Sequence, residues 1–330
     1  MSERLDPHSV SRRNFLKVAG AGAALALGGG ECAAAEKATL PQKVLGKTKV
    51  KVPVLGLGTA PAGFRPEKEA VEFYHQCIDS GITYIDTAPE FAGYGKAQVY
   101  LGQVLKERRK EVFLVTKCFE PNGDKALQLL KKNLAELQVE RADLVYAHSI
   151  GDDKMSPEKI YAADGVCKAL EKARRDGLTR FIGVSGHCRP DRFLKALKEW
   201  DYDVQMNAVS LVARHIYNFE GKVWPQAAKK KIGLAAMKVF GGAAGAPMVD
   251  KKAAKGARMP ADLKQTALRY ALGLADVTVV VVGIHDAEEL KQNLAWLKAY
   301  KPLSADELKT LDKPTRELAG KWDKLYGPVS

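Results

Sequence analysis

The chain has 330 residues, 46% of them hydrophobic and 28% charged, an ordinary globular composition with ample material for one large core. The formal net charge is +13, which suits anionic ligands such as cofactor phosphates. The basic residues are scattered and amphipathically placed instead of forming one basic arm, which excludes the usual footprint of a nucleic-acid-binding protein.

The N-terminus reads as a targeting segment. Residues 11–17 are Ser-Arg-Arg-Asn-Phe-Leu-Lys, followed by a soft apolar run from Val18 to Leu27, three glycines and Ala33-Ala34-Ala35. A basic region, a short apolar region and a small-residue cleavage site are the parts of an export signal. Arg12-Arg13 followed by Phe15, Leu16 and Lys17 resembles a twin-arginine signal, which implies the twin-arginine translocase as a transient partner. About ten apolar residues are too few to cross ~30 Å of hydrocarbon, so no stable membrane span is expected. Glu31 before Cys32 argues against a lipoprotein. Cleavage after Ala35 is expected to leave residues 36–330 as a soluble periplasmic product. Residues 1–35 carry four basic and three acidic side chains, so the remainder keeps a charge of +12.

Beyond the signal, short β-branched runs alternate with helical patterns. The segment Val44–Lys51, with Gly46 central, predicts a hairpin plugging the bottom of a barrel. The strand-like runs are Val52–Leu57, Thr83–Asp86, Val112–Thr116, Leu144–Ala147, Phe181–Val184, Val204–Asn207, Gly233–Ala236 and Val277–Val282. Between them apolar residues recur at three- and four-residue spacing, as in Ala70–Phe73–Cys77–Ile78 and Leu127–Leu130–Leu134–Leu137. Eight such βα units favour a closed α/β barrel, the (β/α)8 or TIM architecture, over an open sheet. An open dinucleotide-binding sheet also wants a third glycine after Gly56 and Gly58, and none follows. A further amphipathic helix is predicted over about Ser304–Gly320. No Ser/Pro-rich linker interrupts the chain, so residues 36–330 form one domain.

In such a barrel the chemistry sits at the C-terminal ends of the strands. There the second strand ends in Asp86, the third in Lys117 and the fourth in His148. Each alone has a plain structural explanation, as a turn cap, a loop lysine or a core histidine. Together on three consecutive strand ends they point to a catalytic mouth. His187 and Cys188 invite a metal reading, but no third ligand is visible. The five cysteines, at 32, 77, 118, 167 and 188, show no C-x-x-C spacing, so no metal is expected.

Over residues 43–300 the chain resembles the aldo-keto reductases. The matching stretches are Leu45-Gly46-Lys47-Thr48, Leu55-Gly56-Leu57-Gly58-Thr59, Tyr84-Ile85-Asp86-Thr87-Ala88, Asp143 to Ser149, Phe181 to His187 and Gly283 to Asn293. The resemblance implies an Asp, Tyr, Lys and His tetrad working with NADP or NAD laid over the barrel mouth. Asp86, Lys117 and His148 fall on three of its positions. Phe91 occupies the usual tyrosine position; a three-residue insertion makes Tyr94 the fourth member, because the segment after it, through Leu101-Gly102, matches the family's. In that scheme Lys117, held by Asp86, lowers the phenol's pKa, and His148 orients the carbonyl.

By the same resemblance Gly58, Thr59, Ser185, Gln205, Met237, Lys238, Phe240, Gly283, Gln292 and Asn293 contact the cofactor. Ser185 and Gln205 meet the carboxamide, Met237 replaces a stacking tyrosine, Lys238 meets the pyrophosphate, and Gln292 and Asn293 meet the adenine. NADP-type members usually carry a cation shortly after the glycine at 283. Here Ile284, His285 and Asp286 follow, which speaks against a strong NADPH preference. The basic loop Lys251, Lys252, Lys255 and Arg258 either compensates or is a solvated loop. Two functions remain open at this point: a reductase of an aldehyde, ketone or sugar-like carbonyl, and an exported nucleotide-binding sensor on the same barrel without turnover.

Overall fold

A computed structural model describes residues 39–242 and 258–330. The expected export signal and the lysines at 251, 252 and 255 lie outside those residues. Strand β1 (Gln42–Val44) pairs antiparallel with β2 (Lys51–Pro53), and the Leu45 N–H donates to the Val50 carbonyl at 2.8 Å across the turn. This is the expected hairpin. The predicted first strand, however, is two strands: β2 belongs to the hairpin and β3 (Leu55–Gly58) to the barrel. Pro53 has no N–H to offer a continuing ladder, and the Val54 N–H turns back to the Pro41 carbonyl at 2.9 Å. The chain therefore bends between the two.

The remaining barrel strands are β4 (Tyr84–Asp86), β5 (Phe113–Cys118), β6 (Ala142–His148), β7 (Thr179–Gly186), β8 (Val204–Ala208), β9 (Gly233–Met237) and β10 (Val279–Gly283). They run parallel, neighbour to neighbour, and β10 closes on β3 with Gly283 opposite Gly58. A main helix follows each in turn: α1 (Glu67–Asp79), α2 (Ala97–Arg108), α3 (Gly123–Glu136), α4 (Val166–Arg175), α5 (Pro190–Glu199), α6 (Trp224–Lys229), α7 (Lys264–Gly273) and α8 (Ala287–Lys298). A last helix, α9 (Ala305–Trp322), begins with the Ser304–Glu307 capping box.

Alternation along the strands divides the core in two. Tyr84, Phe113, Val115, Leu144, Tyr146, Val204, Met206, Met237, Val279 and Val281 fill the lumen, closed below by Leu45 and Val52 of the hairpin. Outward residues meet the helices, whose buried faces include Ala70, Phe73, Cys77 and Ile78 of α1. The period of two has a functional consequence. Asp86, Lys117 and His148 each stand two residues above a lumen side chain, namely Tyr84, Val115 and Tyr146, so all three rise into the mouth. Among the described residues, no helix is long and apolar enough to cross a membrane.

Candidate active site

The three strand ends converge on one buried ion pair. Lys117 and Asp86 are 1% and 2% exposed, and the Lys117 ammonium donates to Asp86 Oδ2 at 2.5 Å and to the Thr87 carbonyl at 2.9 Å. Its third partner is the Tyr94 hydroxyl at 3.1 Å, which in turn donates to Asp86 Oδ2 at 3.4 Å. The ammonium also lies 4.8 Å from the centre of the Tyr94 ring. Phe91, at the family's usual tyrosine position, is 54% exposed and takes no part.

Local geometry explains why the loop can deliver Tyr94. Gly95 adopts φ +52°, a left-handed turn that glycine makes without strain. Gly63 lies so close that a Cβ there would sit 1.8 Å from the Tyr94 carbonyl, and the Lys96 N–H donates to the Gly63 carbonyl at 2.9 Å. The loop after β3 thus clamps the Tyr94 loop over the mouth.

The electrostatics differ from the sequence-based expectation. Burial raises the Tyr94 pKa above the ordinary phenol value; Lys117 pulls it down, but Asp86 pushes it up again, and the phenol keeps its proton. Lys117 is held above the usual lysine range: burial opposes its charge, and Asp86 and Tyr94 more than offset that. His148 lies well below its normal range, first through burial and then through His187, Lys117 and Lys238. It is therefore neutral. Its Nδ1 lies 2.7 Å from Ser185 Oγ. If the Ser185 hydroxyl donates there, the imidazole's remaining proton sits on Nε2, free to donate into the mouth. His187 packs edge-on against His148 with centroids 5.4 Å apart, and the Tyr326 ring of the C-terminal tail lies 5.8 Å beyond it.

Around this centre the expected cofactor residues divide. Gly58 and Gly283 are register partners at the rim, and the ring of Pro61 packs beside Gly283, where a Cβ would lie 3.2 Å from it. Ser185 faces the mouth beside His148, and Met237 caps the lumen. Thr59 is buried and spends its hydroxyl on the Asp86 carbonyl at 3.2 Å. Phe240 packs edge-on against Trp296 at 6.3 Å. On α8, Gln292 is exposed and Asn293 buried; the Asn293 amide donates to the Glu289 carbonyl at 2.8 Å, while its Oδ1 has no partner among the described residues. An orphaned acceptor there fits an amine-bearing ring such as adenine.

Gln205 does not join them. It registers with Val184, which packs in the outer core. Its carbonyl accepts from Tyr202 at 2.7 Å and its amide donates to Asn207 at 2.6 Å. The lumen position on β8 belongs to Met206, one residue away, because a shift of one along a strand reverses the side chain's face. Asp286 is likewise something other than a free charge: its carboxylate accepts from the Glu289 N–H at 2.8 Å and caps α8. Sequence reasoning missed Arg65. From the loop after β3 it donates to the His285 carbonyl at 3.0 Å and pairs with Glu69 at 3.0 Å, bringing a cation to the α8 N-terminus. A contact across 220 residues leaves no local spacing to read. Cys77, Cys118, Cys167 and Cys188 are buried free thiols.

The sequence profile of the aldo/keto reductase family matches residues 54–262, more than half of the chain. The L-galactose dehydrogenase of Arabidopsis thaliana is 30% identical over 44% of this chain and 48% of its own length. The NAD(P)H-dependent 6'-deoxychalcone synthase of Glycine max is 33% identical over 41% and 47%. The chain thus spans about half the length of these two relatives. Among solved structures, the holo form of a Bacillus halodurans aldo-keto reductase superposes with a TM-score of 0.65 at 22% identity, covering 82% of this chain and 95% of that one. A Klebsiella pneumoniae aldo-keto reductase in complex with NADPH gives 0.62 at 23% identity, over 85% and 95%. At these identities the structural likeness establishes the fold.

Proposed function

The chain belongs to the aldo/keto reductase family, and from that premise we propose that it is an NAD(P)H-dependent carbonyl oxidoreductase whose proton donor is Tyr94. The observation that carries this reading is the contact of the Tyr94 hydroxyl with Lys117, 3.1 Å away, and through Lys117 with Asp86 at the mouth.

The residues present fit a nicotinamide cofactor. Gly58, Gly283 and the N-terminus of α8 suit its phosphates, the orphaned acceptor of Asn293 suits its adenine, and Ser185 and Met237 suit its reactive ring. Bound, the cofactor supplies or accepts the hydride. The chain's own residues handle the oxygen. A carbonyl becoming an alkoxide needs a proton and a preorganised donor. Tyr94 holds the proton, and Lys117 keeps the phenolate left behind from being an isolated buried anion. Asp86 fixes Lys117. Neutral His148 donates from Nε2 and orients the carbonyl, its tautomer set by Ser185. The substrate is an aldehyde, a ketone or a sugar-like carbonyl.

Titration with NADPH and with NADH, followed by loss of the reduced-nicotinamide absorbance in the presence of benzaldehyde, tests the reading. Binding with turnover is the expected result. Binding without turnover favours a nucleotide-binding sensor, and no binding removes both readings. We also infer that residues 1–35 direct export of the folded protein to the periplasm through the twin-arginine pathway, from the Arg12-Arg13 and Ala33-Ala34-Ala35 pattern. N-terminal sequencing of the periplasmic fraction should begin near Glu36; an intact Met1 terminus in the cytoplasm overturns it.

A further inference from the structure

The chain beyond α9 follows a defined course that the chemistry above does not use. Helix α9 ends at Trp322, and Gly327 then turns the backbone at φ +110°, a region glycine enters without strain. Two groups hold this turn. The Tyr217 hydroxyl, from the loop after β8, accepts from the Tyr326 N–H at 3.0 Å and donates to the Gly327 carbonyl at 2.9 Å. The Arg189 N–H, at the start of α5, donates to the Pro328 carbonyl at 3.0 Å. A hydroxyl that donates and accepts at once fixes one register of the tail. Tyr217 is buried, where water competes little for either bond.

What the turn delivers is a ring. The Tyr326 hydroxyl has no hydrogen-bond partner among the described residues, but its ring lies 5.8 Å from those of both Tyr217 and His187. His187 stands edge-on to His148 at 5.4 Å, and Phe119 meets the same imidazole edge-on at 6.3 Å. Ser185 holds the His148 ring at one atom, Nδ1. A ring held at one atom can swing about that contact unless its neighbours are packed against it. Ser149, Asp152, His187, Cys188 and Tyr326 line a cavity of about 30 Å³, room for one water molecule. His187 therefore faces solvent-sized space on one side and packs on His148 on the other.

We propose that Tyr217 is a positioning residue, which latches the C-terminal tail so that Tyr326 and His187 stay stacked on His148 and keep its imidazole oriented and dry. The role given to His148 rests on the reductase reading above; the latch itself does not. The groups that act on the His148 charge are Lys117 from β5, His187 from β7 and Lys238 from the end of β9, with Asp152 and Cys188 beside the cavity behind His187.

Four substitutions in the full-length protein test this while leaving all of those groups in place. Tyr217→Phe removes both bonds to the tail and keeps the ring, Gly327→Val strains the turn, Tyr326→Ala removes the stacked ring, and Tyr326→Phe removes only the unpartnered hydroxyl. The first three should lower kcat for benzaldehyde roughly tenfold or more, as expected of a reacting partner allowed to drift, with NADPH affinity little changed. In the same three, NMR titration of the His148 ring should show its protonation midpoint, well below the ordinary histidine value in the wild type, moving up as the ring becomes hydrated. Tyr326→Phe should match the wild type in both readouts. Wild-type kcat and an unmoved His148 titration in Tyr217→Phe would overturn the assignment, as would equal damage from Tyr326→Phe and Tyr326→Ala. Variants that melt earlier while the His148 titration stays in place reduce the tail to a structural brace, which also overturns it. A wild-type protein that binds NADPH without reducing benzaldehyde removes the reductase reading, and the NMR comparison alone then decides the latch.

Discussion

At Tyr94 the proton is held by burial, and that sets a direction for the chemistry. In the proposed reaction, reduction consumes a protonated phenol, and oxidation of an alcohol requires the phenolate. With the phenol's pKa raised above its ordinary value of about 10, the acid form persists through neutral and mildly alkaline pH. Reduction of a neutral aldehyde should therefore be flat from about pH 6 to 9, and oxidation of the matching neutral alcohol should climb across the same range. A neutral pair is needed because Lys238 changes charge near 8. Of the other groups facing the phenol, Asp86 and Lys117 stay paired and His148 stays neutral. Initial rates in both directions check this, and a reductive rate falling with a midpoint near neutrality would assign the acid to another group. The cooperating residues were unequally legible. Asp86, Lys117 and His148 could be read because each ends an apolar strand. Tyr94 could be read only against the family's spacing, since Phe91 stands where the tyrosine usually does and nothing local decides between two nearby aromatic residues.

Among the elements, strands and helices followed their periodicities closely, and the departures have identifiable causes. The predicted run Val52–Leu57 ignored Pro53, which ends one ladder so that β2 can plug the barrel while β3 joins it. Gln205 shows the limit of reading short buried strands. Val204 to Asn207 is too uniformly buried for polarity to reveal which parity faces the lumen, and one residue's error moved a candidate ligand to the outer layer. Lys238 is the opposite case, a strand end where a left-handed residue, at φ +61°, breaks the parity that the sequence implies. At α8, Asp286 follows Gly283 where the family resemblance implies a cation for the 2′-phosphate, and the structure makes it the helix N-cap. Its role as an N-cap was available from the Asp-x-x-Glu pattern of residues 286–289. Arg65 was not available from any such pattern.

Over the whole molecule, eight βα units, a plugging hairpin and a terminal helix were visible because one period repeats from end to end. The assembly of the site depends on folding features with no sequence period. The tail after α9 returns to the mouth, where the Tyr217 hydroxyl donates to the Gly327 carbonyl at 2.9 Å and accepts from the Tyr326 N–H at 3.0 Å. This sets Tyr326 against His187, which in turn packs on His148. This side of the mouth thus joins mid-chain residues to the C-terminal tail, beside the Tyr94 loop clamped by Gly63. In the proposed function this loop supplies Tyr94 as the proton donor. Its most direct test is the turnover of Tyr94→Phe with benzaldehyde and saturating NADPH. A fall in kcat of roughly a hundredfold or more is expected, as for loss of a general acid, with NADPH affinity nearly unchanged. Full carbonyl reduction by Tyr94→Phe would contradict it.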